Sequence, residues 1–230
     1  MNRTFFKQLE SHLNTERLDA YREDGADEAT CLARYLLNMA LCEALYSPLQ
    51  MAEISLRNAI HESLTTRAKT DEWFDTMTLP QWQVDQVQEA KRKLQKSRKP
   101  ETPGRIVAAQ SFGFWVGFFT KPHKTTGLAY YLAKVAFAHA PKTQRDADKL
   151  STQWQKVRDL RNRVFHHERI LHWQDLQDQH NNLLQLIEWM NPELAQLAQM
   201  LDRFTDERAA GLGPWRQKLI DGWPAKSIKT

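Results

Sequence analysis

The chain has 230 residues, of which 41% are hydrophobic and 26% are charged, and its formal net charge at pH 7 is +4. That length and composition are sufficient for a buried core, which excludes a largely disordered chain. The mild positive charge favours a nucleic-acid partner only weakly, because the distribution of charge matters more than its sum.

Apolar residues recur at helical spacing along nearly the whole chain, and alternating runs typical of strands are absent, so the sequence predicts an all-α protein. Three helix starts are indicated by a hydroxyl or amide residue followed by proline: Ser47-Pro48, Thr102-Pro103 and Asn191-Pro192. The predicted helices cover residues 4–13, 26–46, 48–68, 80–98, 103–119, 127–139, 144–168, 173–190 and 192–207.

We expect a single domain over residues 1–212, with a break near residues 100–104 that could separate two lobes. Residues 213–230 contain Gly213-Pro214 and Gly222-Trp223-Pro224, which predict an irregular tail whose tryptophans pack back onto the helices.

Two observations favour a cytoplasmic protein without a membrane anchor. The longest apolar run, residues 112–119, is too short to span a bilayer, and the first residues lack the apolar core of a signal peptide. Cys31 and Cys42 lie on one predicted helix about 16 Å apart along its axis, so they cannot bridge each other and are expected to be reduced thiols.

A basic segment lies between Lys91 and Lys99, where six positive charges occur without an acidic residue. One interpretation is a solvated helix end whose lysines complement the negative end of the helix dipole. The other is a patch that binds the backbone of RNA. We favour the helix end.

The stretch RNRVFHHE at residues 161–168 concentrates polar side chains at the end of the predicted helix 144–168. Arg161 falls within an apolar stripe, so its guanidinium needs an acceptor on another helix, a partner chain or an anionic ligand. Asn162 and His166 are four residues apart and can touch on the flank of the stripe. Arg161 and His166 point about 140° apart on an ideal helix, so a second chain would be needed to bring them together. The residues of the stripe are Trp154, Val157, Leu160, Val164 and Phe165.

These residue types are suited to RNA cleavage without a metal. An imidazole can take a proton from a ribose 2′-hydroxyl or give one to the departing 5′-oxygen, and an arginine can hold the phosphate between them. The alternative is a buried polar network that only fixes packing. The sequence has no zinc-ligand spacing, glycine-rich phosphate loop or GxSxG elbow, so we expect neither a metal nor a cofactor.

Arg161-Asn162-x3-His166 resembles the Arg-x4-6-His signature of the HEPN superfamily, and LRNRVFHHERI at residues 160–170 resembles the LRN…HH motif of its Abi-like, abortive-infection family. Two further stretches are similar to the same family: AEISLRNAI at residues 52–60 and SFGFW at residues 111–115.

The resemblance implies a HEPN-like all-α bundle with additional helices that forms a homodimer, in which the signature helices of two chains build one composite site. It implies a metal-independent endoribonuclease of bacterial phage defence, or a toxin, with RNA as substrate and a possible antitoxin or other defence protein as partner. By position, Arg161 would bind the scissile phosphate and His166 would act as general acid or base, with Asn162 as the accompanying polar residue. Glu168 departs from relatives that carry a tyrosine there, and it could stabilise a protonated His166 or repel phosphate.

Several alternatives remain open. His167 also satisfies the permitted spacing, so it is a second candidate catalyst. Arg57 and Asn58 are minor candidates for binding the substrate, whereas Glu53 and His61 on the same predicted helix are interpreted as surface ion pairing with Arg57. The rival function is a catalytically inactive HEPN module that binds RNA or a protein partner, and a third reading is a structural dimer whose polar cluster sets the helix register.

Overall fold

The computed structural model describes residues 3–222, with side chains from Phe6 onward. This part of the chain contains helices and no strand, which confirms the all-α prediction. The α-helices, numbered in chain order, are α1 (Arg3–Leu13), α2 (Thr15–Asp19), α3 (Glu28–Ala68), α4 (Trp73–Thr76), α5 (Gln81–Lys96), α6 (Pro103–Ala108), α7 (Phe112–Val116), α8 (Lys121–Thr125), α9 (Leu128–Val135), α10 (Ala147–Phe165), α11 (Leu176–Met190), α12 (Pro192–Leu201), α13 (Phe204–Ala210) and α14 (Gly213–Gly222). Short 3-10 turns lie at Glu23–Gly25, Gly117–Phe119 and Lys142–Gln144.

The longest helix, α3, runs through Pro48, so the predicted helix start at Ser47 is wrong. Proline has no N–H to donate to the carbonyl four residues earlier, and this usually ends or kinks a helix. Here apolar residues on both sides, Leu45 and Leu49, are fully buried. Burial of the apolar side chains on either side of the proline therefore outweighs the missing hydrogen bond.

Other predicted helices are shorter or divided. The predicted helix 103–119 is divided into α6, α7 and a 3-10 turn, because Ser111 caps a new helix by accepting a hydrogen bond from the N–H of Phe114 at 3.2 Å. The predicted helix 192–207 stops at Leu201, and Asp202 accepts a hydrogen bond from the N–H of Phe204 at 3.1 Å at the start of α13. Residues 213–222, expected to be irregular, form α14, while residues 223–230 lie outside the described part.

The chain divides into two compact units, each made of segments distant in sequence. The first unit contains the residues up to 47, residues 162–180 and the residues from 202 onward, and the second contains residues 48–161 and 181–201. Three of the four divisions fall within α3, α10 and α11, the fourth falls directly after α12, and none falls at residues 100–104.

The first unit has a small core built from Phe6, Leu18, Tyr21, Cys31 and Leu32, all buried. Leu219 of α14 packs against this core, which attaches the last described helix to the unit. Cys31 and Cys42, both on α3, are free thiols.

The second unit is centred on a cluster of aromatic rings. Trp73 lies edge-on to Trp115 and Phe118, with ring centroids 6.2 and 5.9 Å apart. His123 is 2% exposed, stacks on Phe118 at 4.6 Å, and its Nε2 lies 2.6 Å from Oε1 of Gln83. The cluster therefore contains a buried imidazole with a fixed hydrogen-bond partner.

Among residues 3–222, no helix combines the length with the apolar composition that crossing a membrane requires.

Candidate functional site

Helix α10 ends within the sequence signature, and the way it ends determines where the two histidines lie. The N–H of Glu168 donates to the carbonyl of Arg163 at 2.8 Å, and the N–H of His167 donates to that of Val164 at 3.1 Å. Together with a φ of 57° at His167, this pair of bonds is a Schellman motif, which terminates a helix at a left-handed residue. The prediction of helix up to residue 168 is therefore wrong for the last three residues.

His167 occupies the position of this motif where glycine is strongly preferred. A side chain at positive φ brings Cβ close to a carbonyl oxygen, which costs about 1–2 kcal/mol. A residue held in such a conformation persists only when its surroundings fix it.

Two side chains of the first unit fix this turn. Arg17 of α2 donates from its guanidinium to the carbonyl of His167. Asn38 of α3, which is 3% exposed, accepts hydrogen bonds from the N–H groups of Ile170 at 2.8 Å and Leu171 at 3.1 Å. Its Nδ2 also donates to the carbonyl of Glu168 at 3.3 Å.

Sequence reasoning missed Arg17 and Asn38. The signal for Asn38 was an amide within the apolar run Leu36-Leu37-Asn38-Met39-Ala40, because a buried amide must find hydrogen-bond partners. Nothing in the sequence marked Arg17, which is one exposed arginine among many.

Asn162 and His166 lie in and just after the last turn of α10, and both side chains are exposed. The N–H of His166 donates to the carbonyl of Asn162 at 2.9 Å, as in a helix. Within the described residues, no side-chain hydrogen bond joins the two, so the predicted contact is limited to the backbone.

Glu168 directs its carboxylate to Arg163, with Oε2 2.8 Å from Nη1. The same guanidinium lies over the ring of Trp173, 5.2 Å from its centroid. Because the chain leaves the helix after Phe165, Glu168 lies beyond the end of α10.

A cavity of about 630 Å³ lies in the first unit, directly beside the end of α10. His167 lines it, whereas His166 is not among the lining residues. Tyr46 and Phe165, also in its wall, are stacked with centroids 5.0 Å apart and an angle of 22° between the ring planes. Burial raises the pKa of Cys42, another lining residue, to about 11, so this thiol is a poor nucleophile at neutral pH.

In the second unit, Arg161 forms an ion pair with Glu53, with Nε 3.2 Å from Oε2 and both side chains about one-quarter exposed. Trp154, Val157 and Leu160 beside it on α10 are buried. Of the three acceptors that the sequence left open for this guanidinium, the structure shows one on another helix, Glu53 of α3.

The expected ion pairing of Glu53 and His61 with Arg57 is replaced by other contacts, and the carboxylate of Glu53 binds Arg161. Arg57 instead donates from Nε to Oδ1 of its neighbour Asn58 at 3.2 Å. His61 accepts a hydrogen bond from Nε1 of Trp73 at 2.9 Å, and burial lowers its pKa. Arg57 and Asn58 thus lie on α3 in the second unit, and their side chains are hydrogen-bonded to each other.

The basic segment forms the end of α5, as the favoured interpretation expects. Lys91 pairs with Asp75 at 2.7 Å and Arg92 pairs with Glu89 at 2.9 Å. Arg98 has a φ of 54° and follows the last turn, in which Lys93 and Lys96 lie. Lys91 is partly buried, whereas the charged side chains from Arg92 to Lys99 are exposed, and those of the last turn complement the carboxyl end of the helix.

Comparison with protein-family models, with curated proteins and with solved structures gives no significant match. The described residues contain no group of three or more histidine, cysteine, aspartate or glutamate side chains arranged to hold a metal ion.

Proposed function

We propose that this chain is a metal-independent endoribonuclease of the HEPN type that acts in the bacterial cytoplasm in phage defence or as a toxin. The substrate class is RNA, Arg161 holds the scissile phosphate, and His166, with His167 as the alternative, provides proton transfer. The support for the family is the set of sequence landmarks, above all LRNRVFHHERI at residues 160–170.

The observation that carries the proposal is the conformation of His167. A histidine occupies a left-handed position that would suit glycine better, and Arg17 and buried Asn38 hold the segment around it. Backbone strain that the surroundings maintain occurs preferentially at functional sites. The imidazole is exposed at the wall of a cavity, where a substrate can reach it.

The chemistry requires two proton transfers. The 2′-oxygen of a ribose attacks the adjacent phosphorus while an imidazole takes its proton, and the bond from phosphorus to the 5′-oxygen breaks as an acid protonates that oxygen. The products are a 2′,3′-cyclic phosphate and a free 5′-hydroxyl, so atoms and charge balance without a metal. His166 and His167 are adjacent residues with exposed imidazoles. Either imidazole can act as the base for the 2′-hydroxyl or as the acid for the 5′-oxygen.

The test is cleavage of a 5′-labelled RNA in excess EDTA by the purified chain and by His166→Ala and His167→Ala. We expect the wild type to yield 2′,3′-cyclic phosphate ends, and at least one variant to be slowed by a factor of 10² or more, the typical contribution of general acid–base catalysis. His139→Ala is the matched control, because His139 is an exposed histidine of the second unit. Equal cleavage by all four proteins would contradict the assignment of the site.

A second candidate function is a catalytically inactive module that binds RNA or a protein partner, such as an antitoxin. The observation that favours it is that two arginines of the signature already pair with acidic residues, Arg161 with Glu53 and Arg163 with Glu168. An arginine neutralised in this way binds phosphate less strongly. This candidate predicts RNA retention on a filter without cleavage, and equal growth of bacteria that overproduce wild type or His167→Ala.

The homodimer remains part of the proposal, because the resemblance of the signature at residues 160–170 implies a composite site to which two chains each contribute residues. Sedimentation equilibrium gives the mass in solution. Mixing Arg161→Ala with His166→Ala chains tests the composite site, since mixed dimers would regain one intact site and part of the activity.

A further inference from the structure

The cavity of the first unit has an aromatic side that remains open to solvent. Met39 and Tyr46, both in its wall, are 51% and 50% exposed although both are large apolar residues. Tyr46 is held in place by its stacking on Phe165. A volume of about 630 Å³ lies in the range of small-molecule sites, which are lined mostly by apolar and aromatic side chains.

The remaining wall of the cavity contains one guanidinium and two imidazoles. Arg17, His12 and His167 line it, and the guanidinium of Arg17 is fixed by its bond to the carbonyl of His167. Glu43 is the acidic residue of the lining, and its Oε1 lies 3.0 Å from Nη2 of Arg203. The cavity therefore attracts an anion and offers little to a cation.

We propose that this cavity binds a planar aromatic anion, with its ring against Tyr46 and its charged group on Arg17. An aromatic face stacks on other flat rings, and a guanidinium binds carboxylate or phosphate through two parallel hydrogen bonds. Two sources have this chemistry: a nucleotide, with its base and phosphate, and an aromatic carboxylate.

The inference goes beyond the cleavage of RNA, because a small aromatic anion binds without any chemical step. Its test uses binding alone, so it can fail or succeed independently of the proposed ribonuclease activity.

The experiment is isothermal titration of the full chain with four probes: adenosine monophosphate, adenosine, ribose 5-phosphate and indole-3-carboxylate. We expect adenosine monophosphate or indole-3-carboxylate to bind. If the natural ligand is a nucleotide, adenosine and ribose 5-phosphate should each bind at least about tenfold more weakly than adenosine monophosphate. Preference for indole-3-carboxylate over the nucleotide would assign the site to aromatic carboxylates.

Two variants locate the binding. Tyr46→Ala removes the stacking surface and is expected to weaken binding about tenfold or more. Arg17→Gln keeps a donor for the carbonyl of His167 but removes the charge, and it should weaken the two anions while leaving adenosine unchanged. Tyr130→Ala is the control, because Tyr130 is a tyrosine of the second unit that is 43% exposed.

Absence of binding by all four probes would overturn the inference, as would equal affinities in wild type, Tyr46→Ala and Arg17→Gln. Probe binding without RNA cleavage would retain the inference and reject the ribonuclease. RNA cleavage without probe binding would retain the ribonuclease and reject the binding inference.

Discussion

At the scale of single residues, His167 combines a local strain with an exposed imidazole. Replacing it by glycine removes the clash at positive φ, worth about 1–2 kcal/mol, but gives the unfolded chain more freedom, worth about 0.4–1 kcal/mol. We therefore expect His167→Gly to raise the free energy of unfolding by about 0.5–1 kcal/mol, measured by urea denaturation, and to lose RNA cleavage.

Lys69→Gly is the matched comparison. Lys69 directly follows α3 with a φ of 57° and is exposed, so the same gain in stability is expected without any effect on cleavage. A loss of stability in His167→Gly but not in Lys69→Gly would show that the imidazole itself stabilises the turn, and the argument from strain would be wrong.

For single residues, the sequence predicted those interactions that depend on neighbours within one helix. The need of Arg161 for an acceptor followed from the apolar stripe of α10, and Glu53 meets it. The identity of that acceptor depended on packing between helices distant in sequence, and the positions of His166 and His167 depended on where the helix ends. Arg17 and Asn38 act on residues 150 and up to 133 positions away, which no local pattern contains.

At the scale of helices, Pro48 inside α3 offers a direct measurement. Pro48→Ala supplies an N–H that can donate to the carbonyl of Ala44, and a proline inside a helix costs about 3 kcal/mol. Because the surrounding residues have already adapted to the proline, we expect a smaller gain of about 1–2 kcal/mol in the free energy of unfolding.

Pro103→Ala is the control for this change. Pro103 lies at the start of α6, where the N–H has no partner within the helix, so its replacement is expected to change stability by less than about 0.5 kcal/mol. Thermal unfolding followed by circular dichroism measures both variants. A destabilised Pro48→Ala protein would indicate that the proline ring packs more favourably than the hydrogen bond it removes.

The sequence predicts the all-α fold class correctly but misplaces several of the residues at which helices begin or end. Helical periodicity predicted the all-α class, and Asn191-Pro192 correctly marked the start of α12, where Oδ1 of Asn191 accepts from the N–H of Leu194 at 2.7 Å. The same signal at Ser47-Pro48 was overridden by burial on both sides. Local caps set a boundary only where tertiary packing does not continue the helix.

At the scale of the whole molecule, the buried His123 makes stability depend on pH. Burial lowers the pKa of His123 from 6.5 to about 4. Between these values the unfolded chain binds a proton that the folded chain does not, so stability is fully present above pH 6.5 and is lost as the pH falls towards 4. The loss from this group amounts to at most roughly 3 kcal/mol.

Urea denaturation at pH 7 and pH 4.5 measures this dependence. His123→Gln retains an amide donor for Oε1 of Gln83 and does not titrate, so the difference between the two pH values should shrink by about 2 kcal/mol. His139→Gln, at an exposed histidine, should leave the difference unchanged. An unaltered slope in His123→Gln would assign the acid sensitivity to other groups.

Asn38 also has a consequence for the order in which the protein is made. Its partners Ile170 and Leu171 leave the ribosome 132 and 133 residues later, which at 5–20 residues per second takes roughly 7–27 s. Until then the side-chain amide of Asn38 lacks its hydrogen-bond partners at Ile170 and Leu171, and the turn that carries His167 cannot form. A nascent chain is thus without its candidate site for most of its synthesis, a natural delay for a protein whose proposed activity would damage the RNA around it.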